Sequence, residues 1–304
     1  MSDTTASLRR KIGSAGDLQS VVRTMKALAA SSIGQYEKSV RALGDYYRTV
    51  ELGLGACLRV GGSIPLAVEP EGGTDAGAIG AVVFGSDQGL VGQFNDVVAD
   101  SAVETLAALR GHPQVWAVGE RVHARLMDLG LPPLGLFTVP TSVQTITPLI
   151  GRILVEHEAR RNRGEIAELH LFYNRPLSGA VYKPVHQRLL PLDETWRRKL
   201  IGLPWPTKQL PEVMGSSATL RALVREYLFV SLFRACAESL ASENASRLAA
   251  MERADQNIDE LLADLGGKFH RLRQSGIDEE LFDVISGFEA LGRNAPSARL
   301  HEIV

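Results

Sequence analysis

The chain has 304 residues, 45% hydrophobic, 22% charged and only 6% aromatic, with a formal net charge of −2. That near-balance excludes a protein drawn to nucleic acid or anionic lipid by bulk charge, and no run approaches the roughly 20 apolar residues of a membrane-spanning helix. Cys57 and Cys236 stand far apart, in no metal-ligand or CxxC spacing, and read as small buried hydrophobes.

The opening stretch, MSDTTASLRRKIGSAG, is Ser/Arg-rich like a transit peptide. The helical repeat already starts at Leu8, so it reads as part of the mature fold. Alternate steps of four and three from Leu8 reach Ile12, Ala15, Gln19, Val22, Lys26 and Ala29, then run through Tyr36 and Leu43 to Val50, with only Gln19 and Lys26 polar. A mean period of 3.5 keeps one apolar seam facing a partner helix along a left-handed supercoil. About six heptads exceed what a globular helix needs.

From about residue 75 the period changes. The segment 79–84, IGAVVF, reads as a buried strand, followed by the turn GSDQGLVGQFN and a helix over about 96–110. Strands at 114–118 and 134–139 alternate with helices at 120–129 and 146–162, which predicts a parallel sheet with helices on its faces. Two further strands, 166–174 and 180–190, are joined by the short link RPLSG and read as an antiparallel edge hairpin. The proline-bearing stretch 191–215 and the segment 61–77 read as irregular linkers.

Chemistry in this middle region is thinly marked. Gly85, Gly89 and Gly92 follow the first strand in a G-x3-G-x2-G spacing, unlike the G-x-G-x-x-G of a dinucleotide turn, and there is no Walker-type GK[ST]. A tight strand-to-helix turn is the favoured reading. Asp87 and Asp96 pass for a carboxylate pair, yet acids at a helix start are ordinary dipole partners. The seven histidines form no HxH, HExxH or Cys-His set and read mostly as surface or edge residues. His157 with Arg160, Arg161 and Arg163 reads as a solvated basic helix end. No nucleophile has its base, and no cofactor or metal is expected.

The C-terminal third returns to the first pattern. Leu220, Leu223, Tyr227 and Val230 lead in, and the step continues through Met251, Ile258, Leu265 and Leu272, interrupted by Arg234, Asn244 and Asp255. Residues 1–60 carry nine Lys/Arg against five Asp/Glu, whereas residues 217–290 carry eight against thirteen. Opposite charge beside the two seams favours pairing the chain's own ends over self-association.

Three ordered blocks resemble the gamma subunit of F-type ATP synthases, across nearly the whole chain. VRTMKALAASS (22–32) is similar to the family's TKAMKMVAASK, and SDQGLVGQFN (86–95) to its SDRGLCGGFN. The stretches 238–262 and 271–291 resemble the family's C-terminal helix. The resemblance implies an α/β protein with a long antiparallel coiled coil: N- and C-terminal helices as a shaft around a central Rossmann-like, mostly parallel sheet. The expected parts are an N-terminal shaft helix (1–60), a central foot domain with linker (75–215), a C-terminal shaft helix (216–291) and a tail (292–304).

As a family member it would be a non-catalytic rotor. Its partners would be the alpha and beta subunits of the catalytic head, the epsilon subunit and the membrane ring of c subunits, on the cytoplasmic face of a bacterial inner membrane. Met25, Lys26, Glu243, Arg247 and Gln274 match the family positions that face the head's catch loops. Lys26 is a charge on an apolar seam, which calls for a partner. Glu243 and Arg247, spaced i, i+4, equally fit a helix-surface ion pair of a few tenths of a kcal/mol.

The chain departs from the family at Ser32–Gln35, Asp278, Phe288 and the tail, which points to a divergent paralogue. No cysteine pair falls within 75–215, so a thiol switch there is not expected. The rival readings are a Rossmann-type nucleotide-binding enzyme with helical arms and a coiled-coil scaffold.

Overall fold

The computed structural model describes residues 4–59, 78–109, 111–177, 182–207 and 216–293. In chain order the elements are α1 (Thr5–Arg59), β1 (Ile79–Phe84), α2 (Phe94–Ala108), β2 (Pro113–Val118), α3 (Glu120–Asp128), β3 (Gly135–Phe137), α4 (Val143–Asn162), β4 (Glu168–Pro176), β5 (Tyr182–Leu190), α5 (Glu194–Ile201) and α6 (Ser216–Arg293). The linker expected over 61–77, the end of the one reaching 215, the tail beyond 293 and His301 lie outside the described residues. Two compact units emerge, residues 1–24 with 252–304, and residues 25–251. Both long helices run through the division.

In the first unit, the seam positions Leu8, Ala15, Val22, Ile258 and Leu265 are buried. Two polar interruptions of the seams meet: Gln19 Nε2 donates to Asp255 Oδ1 at 3.1 Å and to Asp259 Oδ1 at 2.5 Å. Arg23 Nε adds a bond to Asp255 at 3.1 Å. A polar group within an apolar seam is retained here because its partner faces it, and such a pair specifies register. Leu272 departs from the expected seam and is 37% exposed, because it lies beyond the stretch of α6 that α1 covers.

In the second unit, the sheet runs β3-β2-β1-β4-β5, parallel except for β4–β5. β1 is buried at every position, as a central strand covered on both faces must be. Its alternate residues feed two cores. Ile79, Ala81 and Val83 join α2 and α3, whereas Val82 and Phe84 join α4 together with Leu54 of α1 and Leu232 of α6. The two long helices pair in opposite directions. Tyr46 Oη donates to Glu226 at 2.6 Å, the rings of Tyr47 and Tyr227 lie 5.7 Å apart, and Leu223 lies beside Gly53.

Several boundaries move, and one element is new. α4 starts earlier than expected, where Thr145 Oγ1 accepts from Ser142 N at 3.2 Å. Pro148 lies inside it as the sixth residue, where the ring costs the helix one i to i−4 hydrogen bond. The stretch expected to be an irregular linker contains α5. Asp193 caps that helix by accepting from Trp196 N at 2.8 Å, and Leu200 is fully buried. An N-cap acid before an amphipathic ETWRRKLI is a readable start signal; the flanking prolines outweighed it.

Candidate functional site

The glycine-bearing turn after β1 is a tightly folded clasp. Gly85 admits no side chain, because a Cβ there would collide with Val122 of α3. Ser86 is buried; its N–H donates to Asn95 Oδ1 at 2.9 Å, and Asn95 Nδ2 returns a bond to Ser86 Oγ at 2.8 Å. Leu90 and Gly92 both have positive φ, at 62° and 58°, which bends the chain back into α2 at a small steric expense for the leucine.

The two acids at this turn are separately engaged. Asp87 accepts from Glu120 N, the first residue of α3, at 3.0 Å, satisfying an exposed donor at a helix start, and from Val139 N at 2.9 Å. Asp96 pairs with Arg125 at 3.1 Å. They do not form a joint carboxylate site.

Over this turn lies α6. Ser246 Oγ donates to Val91 O at 2.5 Å, Ser242 Oγ shares its one proton between Asn174 O and Glu238 O, each at 3.0 Å, and Asn174 Nδ2 donates to Phe94 O at 2.8 Å. Ser242, Ser246 and Asn174 are all buried. The block 86–95 and the start of the block 238–262 are therefore one structural feature. The sequence reading missed Ser242, Ser246 and Asn174. The available signal was the i, i+4 spacing of two small polar residues inside a helix that needed an apolar face.

Glu243 and Arg247 belong to the same surface of α6, and the surface ion pair expected for them is corrected. Arg247 Nη2 bonds Glu243 Oε1 at 2.6 Å with side-chain exposures of only 12% and 6%. Burial pushes the Glu243 carboxyl up, Arg247 opposes that shift, and Asp87 adds like charge. Such a pair is strongly destabilising to break because one charge is then left without its partner. Met25 and Lys26 are half-buried on α1. Gln274 is exposed on α6, in the other unit.

The histidines also depart from expectation. His157 is buried, not solvated, and burial together with the Arg161 charge pushes it down to about 4. The neighbouring arginines are engaged: Arg160 with Glu156 at 3.0 Å, and Arg163 with Glu165 at 2.6 Å. His170 is buried too. A local sequence pattern does not report which face of a helix or strand is covered.

In the first unit, the end of α6 carries Ile277, Leu281, Phe282, Val284 and Ile285, each between 47% and 68% exposed. Three of them, Ile277, Leu281 and Ile285, recur every four residues and share one helix face. None is covered among the described residues, and an uncovered apolar stripe of this length marks a contact surface.

A family model described as ATP synthase matches residues 4–291. The ATP synthase gamma chain of Clostridium pasteurianum is 27% identical over 284 residues, covering 93% of this chain and 97% of the relative. That of Legionella pneumophila (strain Corby) is 25% identical over 290 residues, covering 93% and 98%. In fold, the chain is similar to one in the Euglena gracilis mitochondrial ATP synthase OSCP/F1/c-ring structure, with a TM-score of 0.60, 17% identity and coverage of 98% and 99%. With paired terminal helices, a mixed sheet between them and a match that spans nearly every described residue, the chain belongs to the ATP synthase gamma-chain family.

Proposed function

We propose that this chain is the rotating central stalk of an F-type ATP synthase, coupling ion flow through a membrane ring to conformational change in the catalytic head. The uncovered apolar end of α6 carries this reading. A helix terminus bearing Ile277, Leu281 and Phe282 in water has reason to persist only if another protein encloses it. Among the described residues no helix is long and apolar enough to cross a membrane, in keeping with a peripheral subunit that reaches the inner membrane through the ring.

The partners are the alpha and beta subunits of the head, the epsilon subunit and the c ring. Met25, Lys26, Glu243, Arg247 and Gln274 meet the catch loops of the catalytic subunits. The shaft comprises 1–60 and 216–291, the foot 75–215. The chain binds no nucleotide itself. An asymmetric helix pair turning within the head favours a different conformation of each catalytic subunit in turn, by differential contact. The coupling ion is a proton or sodium ion.

Intact-complex mass measurement tests this. One copy of the chain with three alpha and three beta subunits, and ATPase activity in the same fraction, is the expected result. A monomer or symmetric homodimer without head subunits overturns it.

A further inference from the structure

We infer that the turn after β1 is a rigid joint that makes the sheet and the stretch of α6 over it, residues 238–251, move as one body during rotation; this rests on the stalk reading above. The turn is held from both sides. Ser246 and Ser242 on α6 donate to Val91 O and Asn174 O, and Asn174 carries the linkage on to Phe94 O at the start of α2. Asp87 ties the same turn to the first residue of α3 and to Val139.

The joint resists slip for a physical reason. Ser246, Val91, Asn174 and Phe94 are buried, so sliding α6 along the turn by even one residue would strand donors and acceptors among them away from water, where each is strongly disfavoured. A purely apolar contact slides more readily, since hydrophobic attraction has no direction. Gly92 lies beside the same serine: at φ 58° an added Cβ would be 3.7 Å from Ser246 Oγ, an ordinary contact distance. The serines are positioning residues: they act by fixing the sheet to the helix.

The test uses the assembled complex in inverted membrane vesicles, reading ATP hydrolysis and ATP-driven ion pumping separately. Gly92→Cys with Ser246→Cys allows a disulfide across the joint, and the native Cys57 and Cys236 are buried. Oxidation is expected to leave pumping per ATP unchanged. A loss of pumping that a reductant restores would show that the turn must move, and would overturn the inference.

Ser242→Ala with Ser246→Ala supplies the opposite arm and does not depend on a cysteine at Gly92. Hydrolysis is expected to continue while pumping per ATP is lost, with recovery in Ser246→Thr, which retains the hydroxyl. Equal pumping per ATP in the alanine pair and the parent would also overturn it. Failure of the unmodified chain to assemble with head subunits would instead remove the stalk reading itself.

Discussion

His170 Nδ1 and His186 Nε2 lie 2.7 Å apart across β4 and β5, with the two rings nearly coplanar at 3° and their centroids 5.0 Å apart. The rings therefore meet end to end through their nitrogens, not face to face. His170 Nε2 is held at 2.7 Å by Glu168 Oε2, which only accepts. His170 thus donates from Nε2 and accepts at Nδ1, and His186 donates from Nε2.

Removing the outer ring should leave a buried acceptor unmet. His186→Ala is expected to destabilise the fold by about 1–3 kcal/mol, the desolvation penalty of such a group, read by urea unfolding. Nitrogen NMR of the parent should find the His170 proton on Nε2. A proton on Nδ1 would contradict the assignment.

His157 supplies a pH dependence. Its folded value of about 4 lies below the unfolded value of about 6.5, so the unfolded chain takes up the proton first. The stability contributed by the uncharged ring is complete above about pH 6.5 and is lost as pH falls toward 4, by about 3 kcal/mol in all. His157→Leu should flatten stability over that window. Residual slope belongs to groups such as His186, which burial, His170 and Arg188 hold below the usual histidine range.

Gln19 tests the seam. Gln19→Glu sets a third carboxylate against Asp255 and Asp259 and should destabilise the helix pair by about 1 kcal/mol. Most of that loss should disappear in 1 M salt, where the screening length falls to about 3 Å. Unfolding midpoints at low and high salt decide it; a salt-independent loss would mean that packing, not charge, dominates.

Lys26 and Arg247 separate function from folding. Arg247→Met leaves Glu243 buried without its partner and should destabilise the chain by about 3–5 kcal/mol, much of it recovered in the double variant with Glu243→Gln. Lys26→Glu should disturb the fold by about 1 kcal/mol or less while lowering coupled ATPase in the complex. Unchanged coupling would remove Lys26 from the contact set.

Phe282, 68% exposed, gives the reverse dissociation. Phe282→Ser should leave the isolated chain's stability within about 0.5 kcal/mol yet weaken retention of the chain by the head on gel filtration. Equal retention would argue that this part of α6 touches nothing.

The two long helices were legible in the sequence because a 3.5-residue repeat needs no distant information: each seam announces a partner by the area it leaves apolar. β1 to β5 were legible on similar grounds, since short apolar runs bounded by turns form strands, and a link as short as RPLSG only allows β5 to return antiparallel. The helix α5 was not, because its start signal sits among prolines that favour irregular chain and only Leu200 packing into the core decides between them.

The amino-acid order alone determined the two long helices, the five strands and that the chain's two ends would pair, because periodicity and charge are local properties. Tertiary structure alone decided what the polar residues do. Whether Glu243 and Arg247 lie in water or beneath a turn, whether His157 is solvated or enclosed, and whether Ser242 and Ser246 hold anything depend on which distant surface covers them. Burial changes the energy of a charge or hydrogen bond by several-fold, and it is set by packing between residues far apart in the chain.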